Sequence, residues 1–249
     1  MSYIIKTRDD FLLDGVSALT YGLAVEMPQP VPPAKQRYTT WQSGDTDHST
    51  PDDSFEDVQY TLTARRIKSP DDFRISGLYA ALATAKTLQI TRNPGRYYRI
   101  SRLIDVQPAA AYHGNEIAYK ITFMLSPFAY HIENAEFTPE NNKIINPGTR
   151  YSRPIYKITQ TTHGSGIPDS EPSIITVNGQ ILSCDFTGLP SGNPYTIVID
   201  SERMIAYNAA NGDNLMRCTS GLFPFLAPGD NAITASHCTV RVIGNWRDY

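Results

Sequence analysis

Ile117-Ala118-Tyr119-Lys120-Ile121-Thr122-Phe123-Met124-Leu125 is the longest strict alternation in the chain, and Ser126-Pro127-Phe128-Ala129-Tyr130-His131 follows it. Ile117, Tyr119, Ile121, Phe123 and Leu125 take every second position. Successive side chains of a strand point to opposite faces, so the run predicts one face on a core and one face outward. The alternation stops at Ser126-Pro127, because proline has no backbone donor to give a sheet. Helical periodicity occurs before this point and not after it. Residues 126–131 therefore read as the junction between two β-rich parts.

Working back from the junction, residues 97–106 and 88–91 read as strands around the turn Asn93-Pro94-Gly95. Ile75, Leu78, Tyr79 and Leu82 recur at helical spacing. Ser69-Pro70-Asp71-Asp72 before them supplies a cap, a proline suited to the first turn and two acids for the positive helix end. Gly77 inside the stripe marks a place where the helix could break. Val58, Tyr60, Leu62 and Ala64 alternate with polar residues as a half-buried strand ending at Lys68. Residues 3–7, 22–27 and 36–41 read as further strands. Between the last two lies Pro28-Gln29-Pro30-Val31-Pro32-Pro33, an extended connector. From Gln42 to Asp57 the chain is polar and shows no period, which predicts a long loop.

Beyond the junction, turn signals recur every 8–12 residues or so, the rhythm of a β-sandwich. Asn178-Gly179 between residues 174–177 and 180–186 is the strongest hairpin signal, since it supplies positive φ for a tight turn. Residues 195–200 and 204–208 predict a second hairpin. Asn211-Gly212-Asp213 leads into 215–218, Pro228-Gly229-Asp230-Asn231 into 232–235, and 238–244 closes the series.

The totals agree with two such parts. The chain has 249 residues, 41% hydrophobic and 19% charged, enough for a packed core and too little charge for disorder. Fifteen tyrosines, 18 prolines and 16 glycines favour strands and turns. Net charge is −3 with no basic stripe, so nucleic acid is not an expected partner; Arg65-Arg66 with Lys68 reads as a solvated strand end. No apolar run is long enough for a signal peptide or a membrane span, so no membrane partner is expected. Cys184, Cys218 and Cys238 are too widely spaced for a disulfide framework or a metal knuckle and read as buried thiols in a reducing compartment.

Signs of catalysis are thin. His48, His113, His131, His163 and His237 show no zinc-binding spacing and read as turn or surface residues. No nucleophile elbow occurs; His163-Gly164-Ser165-Gly166 lacks the strand-to-helix setting. Cys184 alternates with Leu182 and Phe186, which argues for burial over reactivity. Acid pairs are the best enzymatic lead: Asp52-Asp53, Glu56-Asp57, Asp71-Asp72, and Asp200 with Glu202. Asp45, Asp47, Asp52 and Asp53 match no calcium-loop spacing. The expectation is a protein without enzymatic activity, cofactor or metal.

The ordered series of elements resembles the distal tail protein family of long-tailed, non-contractile bacteriophages. The residues that carry the resemblance are the alternating strand 117–125 with Ser126-Pro127-Phe128-Ala129-Tyr130, and the preceding order of strand, acid-capped helix and Leu88-Gln89-Ile90. They continue with Ile145-Asn146-Pro147-Gly148-Thr149, Arg153-Pro154-Ile155-Tyr156-Lys157-Ile158 and the Asn178-Gly179 hairpin. Ile197-Val198-Ile199-Asp200-Ser201, Gly221-Leu222-Phe223-Pro224-Phe225-Leu226 and Val240-Arg241-Val242-Ile243 complete it. The resemblance implies a mainly β chain. An N-terminal β-sandwich or barrel-like domain with one helix (residues 1–131, joined by 245–249) would form a ring, and residues 132–244 a galectin-like β-sandwich. It further implies a homo-hexamer at the virion tail tip, made in the bacterial host cytoplasm. Its partners would be the tail tube protein, the tail-associated hub protein and receptor-binding or baseplate proteins.

A ring of like subunits needs extended arms and open strand edges. The proline-rich connector and the stretch 42–57 suit that role. Tyr38, Trp41, Asp45, Asp52 and Phe55 are the candidate interface residues; Tyr38 and Trp41 could equally cover the domain's own sheet. Two other readings compete. One is a carbohydrate-binding module for host surface glycans, for which Trp246 with Asn245 and Arg247 is the nearest candidate cluster. The other is a cell-wall hydrolase using the acid pairs.

Overall fold

The computed structural model describes residues 10–25, 28–43, 46–67, 75–112, 115–161, 171–186, 189 and 195–249. Within these spans it describes side chains except at 41, 43, 46–48, 51–53, 75–76, 110–112 and 115–117. The chain divides into two compact units. One runs up to Ile132 and takes in Tyr249, and the other is Glu133–Asp248. The fold class is mainly β.

The first unit contains β1 (Phe11–Leu13), β2 (Val16–Ser17), β3 (Leu23–Val25), β4 (Gln36–Ser43), β5 (Thr46–Phe55), β6 (Val58–Arg66), α1 (Ile75–Thr84), β7 (Thr87–Ile90), β8 (Arg96–Tyr112) and β9 (Asn115–His131). The main sheet is antiparallel in the order β2-β1-β7-β8-β9-β6-β3. The alternating run 117–125 lies inside it, in β9 between β8 and β6: Tyr119, Ile121, Phe123 and Leu125 are buried. They share one core with Phe11 and Leu13 from one flank, Leu23 and Val25 from the other, and Tyr60 and Leu62 between. Flanks that meet in one cluster require the sheet to curl around its own apolar face.

Several expectations change here. β9 does not stop at Pro127 but runs on to His131. Its register against β8 jumps from Leu125 opposite Ile100 to Ala129 opposite Tyr98. Three residues of β9 thus face one of β8, so Pro127 sits in a bulge where no ladder donor is required. His131, expected at a surface or turn, is buried in that strand. Helix α1 passes through Gly77 unbroken. Leu78 and Leu82 are buried on the core as expected, but Tyr79 is exposed, and Ala85 just beyond the helix joins the buried set. The capping residues 69–72 and the strand expected at 3–7 lie outside the described residues. The largest departure is residues 42–57: the strand expected at 36–41 runs on to Ser43 as β4 and pairs in a hairpin with β5, which occupies most of the stretch expected as a loop. Both faces of that hairpin are largely polar, so it carries no apolar period to read.

The second unit contains β10 (Lys143–Asn146), β11 (Ile155–Gln160), β12 (Ser173–Val177), β13 (Gln180–Cys184), β14 (Thr196–Asp200), β15 (Ile205–Asn208), β16 (Thr219–Gly221), β17 (Gly229–Ser236) and β18 (Cys238–Ile243). One sheet has the order β10-β17-β12-β13-β16 and the other β15-β14-β11-β18. Inward residues of both sheets, among them Tyr156, Ile158, Ile175, Leu182, Ile197, Ile233 and Val242, build one core. This is a β-sandwich. Asn178 (φ 48°) and Gly179 (φ 81°) make the tight turn between β12 and β13. Residues 215–218, expected as a strand, contain a short 3-10 helix at Met216–Cys218. Cys184, Cys218 and Cys238 are free and buried in this core.

Candidate assembly surface

The ribbon β4–β5 is the feature of the first unit that its own core does not explain. Its register runs from Gln36 opposite Phe55 to Ser43 opposite Thr46, with one irregularity between Gln36 and Tyr38. Among the described residues neither strand pairs with any other. Arg37, Thr39, Thr40, Gln42, Ser49 and Thr50 are exposed. Both strands therefore present an open edge of backbone donors and acceptors. Pro51, opposite Tyr38, is tolerated because a two-stranded ribbon makes ladder bonds on one side only.

Tyr38, Trp41, Asp52 and Phe55 of the candidate interface residues fall on this ribbon. Tyr38 is 60% exposed, so it does not cover the sheet of its own unit. The backbone of Trp41 lies opposite His48, and that of Asp52 belongs to β5. Asp45 and the side chains of Trp41 and Asp52 lie outside the described residues. Phe55 closes the root of the ribbon, half-buried. Its ring meets Phe128 edge-on at 5.4 Å and Tyr249 edge-on at 5.6 Å. Neither Phe128 nor Tyr249 was singled out as a partner of Phe55, and only the resemblance joined 245–249 to the first domain. The motif Pro127-Phe128 was legible only as a strand end, and nothing local ties Tyr249 to residue 55.

The proline-rich connector follows an extended path with no strand between Pro28 and Lys35. The Tyr60 hydroxyl donates to the Gln29 carbonyl at 2.8 Å and so pins the connector to β6. Burial, reinforced by electrostatic coupling to Tyr98, pushes that hydroxyl up to about 12. A cleft of about 350 Å³ opens beside it, lined by Pro28, Pro30, Val31, Ile90, Arg92 and Tyr98 among others.

The residues singled out for chemistry are dispersed or occupied. Cys184 is fully buried, and burial together with the nearby Cys238 and Cys218 thiols pushes it up to about 12, the reverse of an activated thiolate. The Asp200 carboxylate accepts from the backbone N–H of Glu202 and of Arg203, both at 3.0 Å, and so holds the β14–β15 turn. Glu56 and Asp57 are exposed. Asp71, Asp72 and the side chains of Asp47 and Asp53 lie outside the described residues. Among the described residues no group of three or more His, Cys, Asp or Glu could hold a metal ion. Among the described residues, too, no helix is long and apolar enough to cross a membrane.

Trp246 offers no platform for a sugar ring. It is 8% exposed and stacks on Phe137 at 6.0 Å. Its neighbour Asn245 donates its backbone N–H to the Asn134 side chain, accepts from that side chain in return and donates to the Arg153 carbonyl. Arg247 Nε donates to the Tyr151 carbonyl. All three residues of the candidate glycan cluster are thus committed to the interior or to backbone.

No family model matches the sequence, and no curated protein matches it. Among solved structures, the chain is similar to the SPP1 Dit protein, described as a paradigm of the hub adsorption apparatus in Gram-positive infecting phages. The two share 14% identity with a TM-score of 0.68, over 94% of this chain and 96% of that one. At that identity the likeness speaks for the fold. Over nearly its whole length, through the helix-bearing β unit and the β-sandwich, the chain has the fold of the SPP1 Dit protein.

Proposed function

We propose that the chain is a structural distal tail protein of a long-tailed phage or prophage. In this reading it forms a hexameric ring at the virion tail tip. The ring joins the tail tube to the tail-associated hub and to receptor-binding or baseplate proteins. Residues 1–131 form the ring, and the sandwich, which we take as galectin-like, faces outward. The role is structural rather than catalytic.

One observation carries the reading: the likeness to SPP1 Dit extends over 94% of this chain and 96% of the other. A glycan-binding module would need to share only a sandwich. The likeness instead spans both units, and the first unit of this chain carries a ribbon that pairs with no other strand among the described residues and an exposed Tyr38, features that a ring of like subunits uses. The burial of Trp246 removes the aromatic face on which the glycan-binding alternative rested.

Immunogold labelling of intact virions tests the assignment. Antibody against this chain is expected at the tip of the tail. Labelling along the tube, on the capsid or nowhere on the particle would contradict it.

A further inference from the structure

A two-stranded ribbon without a third strand is marginally stable in water, so β4–β5 needs support at its root. The root is where Glu56 N–H donates to the Lys35 carbonyl at 2.9 Å and Gln36 faces Phe55. Phe55 supplies the one large apolar side chain at that end. Its ring meets two others, Phe128 at 5.4 Å and 67° and Tyr249 at 5.6 Å and 68°. Both are edge-to-face geometries, the arrangement that opposed ring charges favour. Phe128 stands in the bulged segment of β9, so it is fixed to the main sheet. Tyr249 belongs to the same compact unit although the residues just before it in the chain do not.

We propose that Phe128 and Tyr249 form an aromatic brace on Phe55. The brace fixes the direction in which the ribbon leaves the first unit and keeps it poised for pairing with a neighbouring subunit. The proposal rests on the ring reading for what the ribbon meets, but the brace itself belongs to one chain. Tyr249 is a positioning residue: it acts on the ribbon through the ring of Phe55 and is not expected to touch the neighbour.

Amide hydrogen exchange on the full chain at a concentration where it is monomeric tests the brace. In Tyr249→Ala, exchange at the root amides, Glu56 N–H first, is expected to speed up about tenfold. Tyr249→Phe, which keeps the ring, is expected to leave it near the wild-type rate. The N–H of Asn178, bonded to Ala232 in the sandwich, serves as an internal reference and should not change. Root exchange unaltered in Tyr249→Ala would overturn the proposal, as would equal acceleration at Asn178. Light scattering of the same variants separates the two readings. A wild-type chain that never forms a ring, while Tyr249→Ala still loosens the root, counts against the ring and for the brace.

Discussion

Asn231 is fully buried, yet its side chain meets polar partners throughout. Its amide donates to the carbonyls of Ala227 and Gly229, and its oxygen accepts from Ala227 N–H at 2.8 Å and from the Asn178 amide at 2.7 Å. One side chain thus ties the turn before β17 to the β12–β13 hairpin. Asn231→Ala would strand buried donors and acceptors, so a loss of roughly 2–4 kcal/mol in sandwich stability is expected by denaturant titration. The buried thiols give a second prediction. A thiol-specific reagent should modify none of Cys184, Cys218 and Cys238 in the native chain and all three in denaturant. Burial raises Cys184 to about 12 and Cys238 to about 11, so the folded state holds their protons after the unfolded state has released them. Their contribution is intact below the ordinary thiol range near 8.5 and declines as pH climbs from there towards 11–12. The decline is at most about 1.4 kcal/mol per pH unit for each group. A melting temperature that held constant from pH 8 to pH 10.5 would contradict this. The thiols were legible in the sequence because Cys184 alternates with Leu182 and Phe186. Asn231 was not, since its letter reads as a turn residue and nothing local ties it to Asn178, 53 residues away.

Among the elements, those with one wet and one dry face announced themselves. The alternation at 117–125, the strand from Val58 and the Asn178-Gly179 hairpin are strands in the fold, because a half-buried strand writes its geometry into every second residue. Strand β5 of the ribbon was hidden for the complementary reason: a ribbon polar on both faces imposes no period. Strand β9 overran its expected end because a bulge, which needs a partner strand to exist, accommodates Pro127. At β16 a glycine shows how tightly elements meet. Gly221 has φ 99°, and a Cβ there would lie 2.3 Å from the Ile181 carbonyl oxygen. Backbone cannot yield as a flexible side chain does, so Gly221→Ala should cost more than about 2 kcal/mol. The expected signature is local. Protection of Leu222 N–H, bonded to the Ile181 carbonyl, is lost, while the β14–β15 pairing persists in hydrogen exchange.

At the scale of the whole molecule, the two units differ in what they leave open. The sandwich closes most of its aromatic surface inward, with Trp246 against Phe137 and Phe186 against Tyr195. The first unit instead carries a ribbon that pairs with no other strand among the described residues. The sequence showed the change of texture between the halves because helical spacing ceases at the junction. It could not show the proposed ring, because a subunit interface leaves no periodicity in a single chain. The central claim is that the ribbon-bearing unit assembles six copies around one axis. Light scattering coupled to size exclusion, on the purified chain across a concentration series, tests it most directly. The account predicts a species of six times the 27.7 kDa chain mass. A single 27.7 kDa species persisting at the highest concentration would contradict it.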